Sequence, residues 1–154
     1  AGSPDPGNPA SVSQDEFVRW QQEGVVECLG ERSDIAELYS ASHIVVLPSY
    51  REGLPKSLVE AAACGRAVVT TDTPGCRDTV VDGVSGRLMP ARSPVALADA
   101  IESIVRDRAT LERMGTASRA LAEERFSLDE VTGGHLGVYH SLLQTHHART
   151  DSTS

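Results

Sequence analysis

Four consecutive apolar residues, Ile44-Val45-Val46-Leu47, run straight into the polar stretch Pro48-Ser49-Tyr50-Arg51-Glu52-Gly53-Leu54 and then into Pro55. Such a run without alternation is what a strand buried on both faces requires, because neither face can carry polar side chains. Proline suits the opening of a helix, where its missing N–H costs nothing, and Gly65 stands where a helix C-terminal cap belongs. The reading is therefore strand, short loop, and a helix over Pro55 to Cys64. A second β-rich run, Ala67 to Thr70, follows at once.

The rest of the chain repeats this alternation. Residues 1–12 hold prolines and no apolar period, and are expected to be a loop left from an upstream strand. Ser13 with Glu16 reads as a capping box opening a helix that Gly24 ends, and Val25 to Leu29 reads as a short strand closed by Gly30. Asp34 with Glu37 repeats the capping signature. A helical turn is expected over Arg77 to Val81 and a short strand over Gly86 to Leu88. Beyond Pro94 two amphipathic helices are expected from Leu97, Ile101, Ile104 and from Leu111, Met114, Leu121. Ser127 and Glu130 start a third over 127–145, which Gly133, Gly134 and Gly137 are expected to fray or kink, and 146–154 reads as a disordered tail. The expected fold is α/β: a Rossmann-like parallel sheet with helices on both faces, followed by C-terminal helices.

Composition narrows the function. A formal net charge of -8 leaves no broad basic face for nucleic acid or an anionic membrane. Three cysteines without a C-x-x-C pair suggest neither a disulfide framework nor a thiolate zinc site, and fit a reducing cytoplasm. No apolar run approaches the roughly 20 residues that span a bilayer. His135 and His140 lie five apart, not at the spacing that puts two metal ligands on one helical face.

In a parallel sheet ligands bind where strand ends meet following helices, and the Ser49 to Ser57 segment is the loop with polar groups to spare. The N–H groups of Gly53, Leu54, Lys56 and Ser57 are expected to face the positive end of the helix dipole and so to receive an anion, a diphosphate above all. Glu52 and Glu60 are eight residues apart, about 12 Å if the span were wholly helical, so they suit opposite ends of one elongated ligand. The chain has no Asp-x-Asp pair of the kind that holds a divalent ion against a nucleotide sugar, and an amide-lined site needs none.

With Gly53, Pro55 and Gly65, the two glutamates resemble the E-x7-E signature of the family-four retaining glycosyltransferases with the GT-B fold. The likeness extends through Thr70-Thr71-Asp72-Thr73-Pro74-Gly75 and Val81 to Leu88, and covers roughly Leu29 to Phe126. It implies that 13–126 is a donor-binding domain, one half of a GT-B fold. It further implies Glu60 on the ribose hydroxyls, Glu52 on the transferred sugar as the catalytic residue, and Gly53 and Leu54 donating to phosphate or sugar. Gly30-Glu31-Arg32 would lie beside the base, and Arg51 is a rim residue or a sugar contact. The substrate implied is a nucleotide sugar, a UDP-sugar ahead of a GDP-sugar, with no cofactor and no metal.

The narrower likeness is to bacterial enzymes of surface-polysaccharide, lipopolysaccharide or lipid-linked oligosaccharide assembly. These transfer a hexose or N-acetylated hexose to a glycan or lipid-linked acceptor, and the expected location is cytoplasmic, at the inner face of the membrane. By the same resemblance an acceptor-binding half and a basic diphosphate-gripping segment would precede Ala1, so the chain reads as a fragment inactive alone. Two other functions share the pattern: a sugar-nucleotide epimerase, and a non-catalytic sugar-nucleotide-binding module.

Overall fold

The structure, a computed structural model, describes residues 2–4, 7, 11–24 and 26–151. The chain forms two units, Ala1–Ile35 and Ala36–Ser154.

In the first unit, helix α1 spans Gln14–Glu23. The capping box is present: the Glu16 N–H donates to Ser13 Oγ at 3.2 Å, and the Ser13 N–H donates to Glu16 Oε2 at 3.1 Å. The Ser13 N–H and the Ser13 hydroxyl, both donating to the Glu16 carboxylate, hold that carboxyl below its ordinary value. Gly24, at φ 67°, closes the helix in the left-handed conformation that glycine adopts without strain. The strand expected over Val25 to Leu29 is a correction. Val25 lies outside the described residues and 26–29 are not strand, while Gly30 makes one isolated antiparallel bridge to Gly2. A β-rich run becomes a strand only where a ladder partner exists, and one bridge does not make a ladder.

The second unit begins with most of α2, Ile35–Ala41, and continues β1 Ile44–Leu47, α3 Lys56–Ala63, β2 Ala67–Thr71, a 3₁₀ turn Arg77–Thr79 and β3 Gly86–Met89. Helices α4 Pro94–Val105, α5 Arg108–Phe126 and α6 Leu128–Asp151 complete it. The strands pair in parallel in the order β1-β2-β3, with Val45 opposite Val68 and Val69 opposite Arg87. Central β2 is buried along its whole length. β1 is covered on both faces as expected, Ile44 and Val46 against one core and Val45 and Leu47 against the other, but as an edge strand of this sheet it is half-buried throughout and not fully buried.

Alternate residues of the sheet feed two cores. On one face Ala67 and Val69 pack with Ala100, Ile104 and Met114 of α4 and α5; on the other Val68 packs with Leu58, Ala61 and Val80, with Tyr39 against them. Helices thus cover both faces, as a parallel sheet needs. Two buried threonines fasten the strand ends: Thr70 Oγ1 donates to the Leu47 carbonyl at 2.7 Å and Thr71 Oγ1 to that of Ser49. Polar groups so deep are tolerated because they are hydrogen-bonded.

Helix α3 ends in a Schellman motif, with Gly65 N–H on Ala62 O at 2.8 Å, Arg66 N–H on Ala61 O at 3.0 Å and Gly65 at φ 66°. Helix α6 departs from expectation. It runs unbroken through its three glycines and past residue 146 to Asp151, so the tail assignment is corrected for 146–151; 152–154 lie outside the described residues. Ser127 caps it, accepting the Glu130 N–H at 3.3 Å. No helix of the described residues is long and apolar enough to cross a membrane.

Gly86 shows how tightly β3 meets β2: a Cβ there would stand 2.0 Å from the Val68 carbonyl oxygen. Gly86→Ala is expected to destabilise the chain by about 1–3 kcal/mol in urea denaturation, the range of overpacking. Gly133→Ala on α6, where an added Cβ meets nothing within 4 Å, is expected to stabilise by up to about 1 kcal/mol.

Candidate functional site

The carboxyl end of β1 opens into the loop 48–55, and each part of that loop is held by a neighbour. The Ser49 carbonyl is fixed by Thr71, and the Ser49 hydroxyl donates to Glu52 Oε1 at 2.8 Å, so the half-buried Glu52 carboxylate has a set direction. Gly75, at φ 82°, lies against the Glu52–Gly53 peptide: an added Cβ would stand 1.4 Å from Gly53 O and 2.8 Å from Glu52 O. The Gly75 N–H donates to Asp78 Oδ2 at 3.2 Å, and Arg77 Nε pairs with Asp72 Oδ1 at 2.8 Å, so the loop after β2 is itself braced. Gly75 therefore does more than turn the chain. Its absent side chain lets two loops touch backbone to backbone.

Pro55 is the N-cap of α3, and no side chain caps this end. The Leu58 and Val59 N–H groups return to Pro55 O at 3.0 and 3.3 Å. The N–H groups of Gly53, Leu54, Lys56 and Ser57 make no hydrogen bond among the described residues, and all four residues are exposed. Unsatisfied donors at a helix N-terminus form a patch of positive potential that recruits an anion.

Glu60 lies on α3 one turn beyond Lys56, whose Nζ is 3.4 Å from Glu60 Oε1; the lysine side chain is 88% and the glutamate 42% exposed. Such a surface pair contributes little and yields readily to a ligand. Beside it stands Tyr39 of α2, which sequence reasoning missed because α2 and α3 meet only through the fold. Burial raises the Tyr39 phenol above its ordinary pKa, and the Glu60 charge and Cys64 add to the effect.

The structure thus gathers Arg51, Glu52, Gly53, Leu54, Lys56, Ser57 and Glu60 on one loop and helix. Gly30, Glu31 and Arg32 fall in the first unit, where Gly30 is in the left-handed conformation at φ 64°. Arg32 Nε there donates to Asp34 Oδ1 at 2.7 Å. That bond depresses the Asp34 carboxyl and engages the side chain that the sequence suggested as a helix cap.

A cavity of about 450 Å³ lies at the opposite strand ends, lined by His43, Gly65, Arg66, Gly115 and Arg119. Its arginines are already used. Arg66 donates to Cys64 O and Ser42 O at 3.0 Å each, and Arg119 to Ala63 O, so they satisfy carbonyls at the C-terminal ends of α2 and α3.

Residues 19–121 match the family described as Glycosyl transferases group 1. The N,N'-diacetylbacillosaminyl-diphospho-undecaprenol alpha-1,3-N-acetylgalactosaminyltransferase of Campylobacter jejuni is 35% identical over 139 residues, covering 89% of this chain and 35% of that protein. Among solved structures, sucrose-phosphate synthase of Thermosynechococcus elongatus superposes with a TM-score of 0.81 at 28% identity, over 94% of this chain and 38% of that one. HepE of Anabaena, solved with UDP, gives 0.76 at 27% identity over 82% and 35%; it has also been solved with UDP-glucose. These neighbours are GT-B enzymes, and the α/β sandwich of this chain is their architecture. The chain spans about a third of the length of the curated relatives it matches.

Two measurements check the geometry without a ligand. Gly75→Ala must push the Gly53 peptide away and place alanine in a left-handed backbone, and is expected to cost on the order of 2–5 kcal/mol in chemical denaturation. Glu60→Ala removes a negative charge near Tyr39, so the slowest-ionising tyrosine in a spectrophotometric alkaline titration is expected to ionise at lower pH, though burial still holds it above the ordinary value.

Proposed function

This chain belongs to the group 1 glycosyl transferases, and from that premise we propose that it binds the nucleotide-sugar donor of a retaining transferase, a UDP-sugar, at the N-terminus of α3. The observation that carries this reading is the set of four unsatisfied N–H groups at 53, 54, 56 and 57, with a directed carboxylate on one side and a weakly held one on the other. The diphosphate sits at the N–H groups. Glu60 leaves Lys56 to take the ribose diol, and Glu52, oriented by Ser49, contacts the hydroxyls of the transferred sugar. The complexes of HepE with UDP and UDP-glucose support the choice of nucleotide.

In the reaction proposed for the whole enzyme, the bond from the anomeric carbon to the diphosphate breaks and a bond to the acceptor oxygen forms on the same face. The acceptor's hydroxyl proton passes to the departing diphosphate. The chain's contribution is to hold the donor and to stabilise the charge growing on the leaving oxygen with fixed amide dipoles. No metal is needed for that role, since the N–H groups and helix dipole supply the positive potential. The sugar is a hexose or N-acetylated hexose and the acceptor a glycan or lipid-linked glycan, a class that includes the acceptor named for the Campylobacter relative.

Titration calorimetry of this chain with UDP, GDP and UDP-glucose tests the reading. UDP is expected to bind more tightly than GDP, equally with and without EDTA. Glu60→Ala is expected to weaken UDP about 10- to 100-fold, the equivalent of about 1.5–3 kcal/mol for charged hydrogen bonds to the diol. Binding that is absent, or indifferent to Glu60→Ala, would sink the proposal.

A further inference from the structure

Among the described residues Arg92 is the one non-glycine residue with positive φ, at 61°. It lies in the turn between β3 and α4, beside Ser93, which caps α4 by accepting the Ala96 N–H at 3.3 Å. A left-handed backbone crowds the Cβ of any L-residue against the following carbonyl, and glycine would make this turn without that strain. The side chain must therefore do something that the turn itself does not need.

Its guanidinium carbon stands 5.2 Å from the centroid of the Tyr50 ring, on the β1–α3 loop two residues before Glu52. None of the ion pairs among the described residues involves Arg92. Tyr50 is 62% exposed, so burial does not hold it. Beneath the pair is a cavity of about 170 Å³, lined by Pro48, Met89, Pro94 and Leu97, so the ring lacks close packing from below. The loop is fastened at Ser49 by Thr71 and at the Glu52–Gly53 peptide by Gly75. Between those points, the Tyr50–Arg92 stack joins it to the turn between β3 and α4.

We propose that the Tyr50–Arg92 stack is a clasp holding the Glu52 loop in the geometry the donor needs, with Arg92 a positioning residue for donor binding. The affinity part of this proposal rests on the reading of the α3 N-terminus as the donor site. The ordering of the loop does not, and is measured in the free chain.

The test compares Arg92→Gly, Tyr50→Leu, the double variant and Arg92→Lys. Arg92→Gly is expected to melt at or above the wild-type temperature, since the strain is gone, while hydrogen exchange at the Arg51 and Glu52 amides rises. Its Kd for UDP-glucose is expected to increase about two- to five-fold, the effect of an exposed cation–π contact. Tyr50→Leu leaves every charge in place and is expected to match it. The double variant is expected to be no worse than either single one, the mark of a shared interaction. Arg92→Lys keeps a cation over the ring and is expected to stay within two-fold of wild type. Loss of affinity in Arg92→Gly but not in Tyr50→Leu would assign Arg92 a charge effect and overturn the clasp, as would additive losses. Unchanged amide exchange in both single variants overturns it whether or not UDP-glucose binds.

Discussion

The contact between Gly75 and the Glu52–Gly53 peptide is the constraint on which the geometry of the site depends. An added Cβ there would overlap Gly53 O at 1.4 Å, so the loops after β1 and β2 meet at a separation that only glycine permits. Each loop leaves the carboxyl end of a strand, and those strands are themselves in register through Leu47 and Thr70. Thr70 and Thr71 extend the fastening past the end of the ladder. The direction of the Glu52 carboxylate is therefore set by the central strand and not by its own loop alone.

The same sheet separates two kinds of helix end. At the C-terminus of α3 the carbonyls are met by Arg66, Arg119 and the Schellman bonds, so no backbone group is left over for a ligand. At the N-terminus no side chain caps, and four N–H groups have no partner among the described residues. A helix buried by Leu58, Ala61 and Ala62 would ordinarily gain about 1 kcal/mol from a capping serine or aspartate. Pro55 forgoes that stabilisation, which is intelligible if the donors are needed for an anion from solution.

The elements legible in the sequence were those defined by neighbours along the chain. The capping box of Ser13 and Glu16, the unit from Ile44 to Gly65, and the Schellman glycine all depend on residues within a turn or two. What escaped depended on pairing across the fold. Apolar Ile44 to Leu47 reads as a doubly covered strand, yet whether it is central or at an edge is decided by strand order, which no local pattern encodes. Val26 to Leu29 has β composition but no ladder partner among the described residues, and the isolated bridge beside it joins Gly30 to Gly2. Asp34 has capping chemistry, yet Arg32 two residues earlier takes its carboxylate. The close approach of Gly75 has no local signature, because the peptide that it touches is more than twenty residues away, and Tyr39 gave no signal of its approach to Glu60.

A chain with a net charge of -8 looks an unsuitable host for a diphosphate, and the resolution lies in the range of the forces. Eight ion pairs among the described residues, such as Arg106 with Glu102 and Arg119 with Glu123, answer part of the acidic charge locally, and fields between exposed charges are screened within about 8 Å at physiological salt. The groups proposed to meet the anion are uncharged amides, effective at hydrogen-bond distance and insensitive to the global balance. The two nearby carboxylates do not oppose this if their charge is already answered, Glu52 by the Ser49 hydroxyl and Glu60 by Lys56. In the proposed complex, a ribose diol that takes Glu60 releases Lys56, whose own N–H is one of the four at the helix end, so the same exchange frees a cation beside the proposed diphosphate site. Anion binding as proposed is thus a property of one helix end and its two glutamates, and an acidic surface elsewhere costs it little.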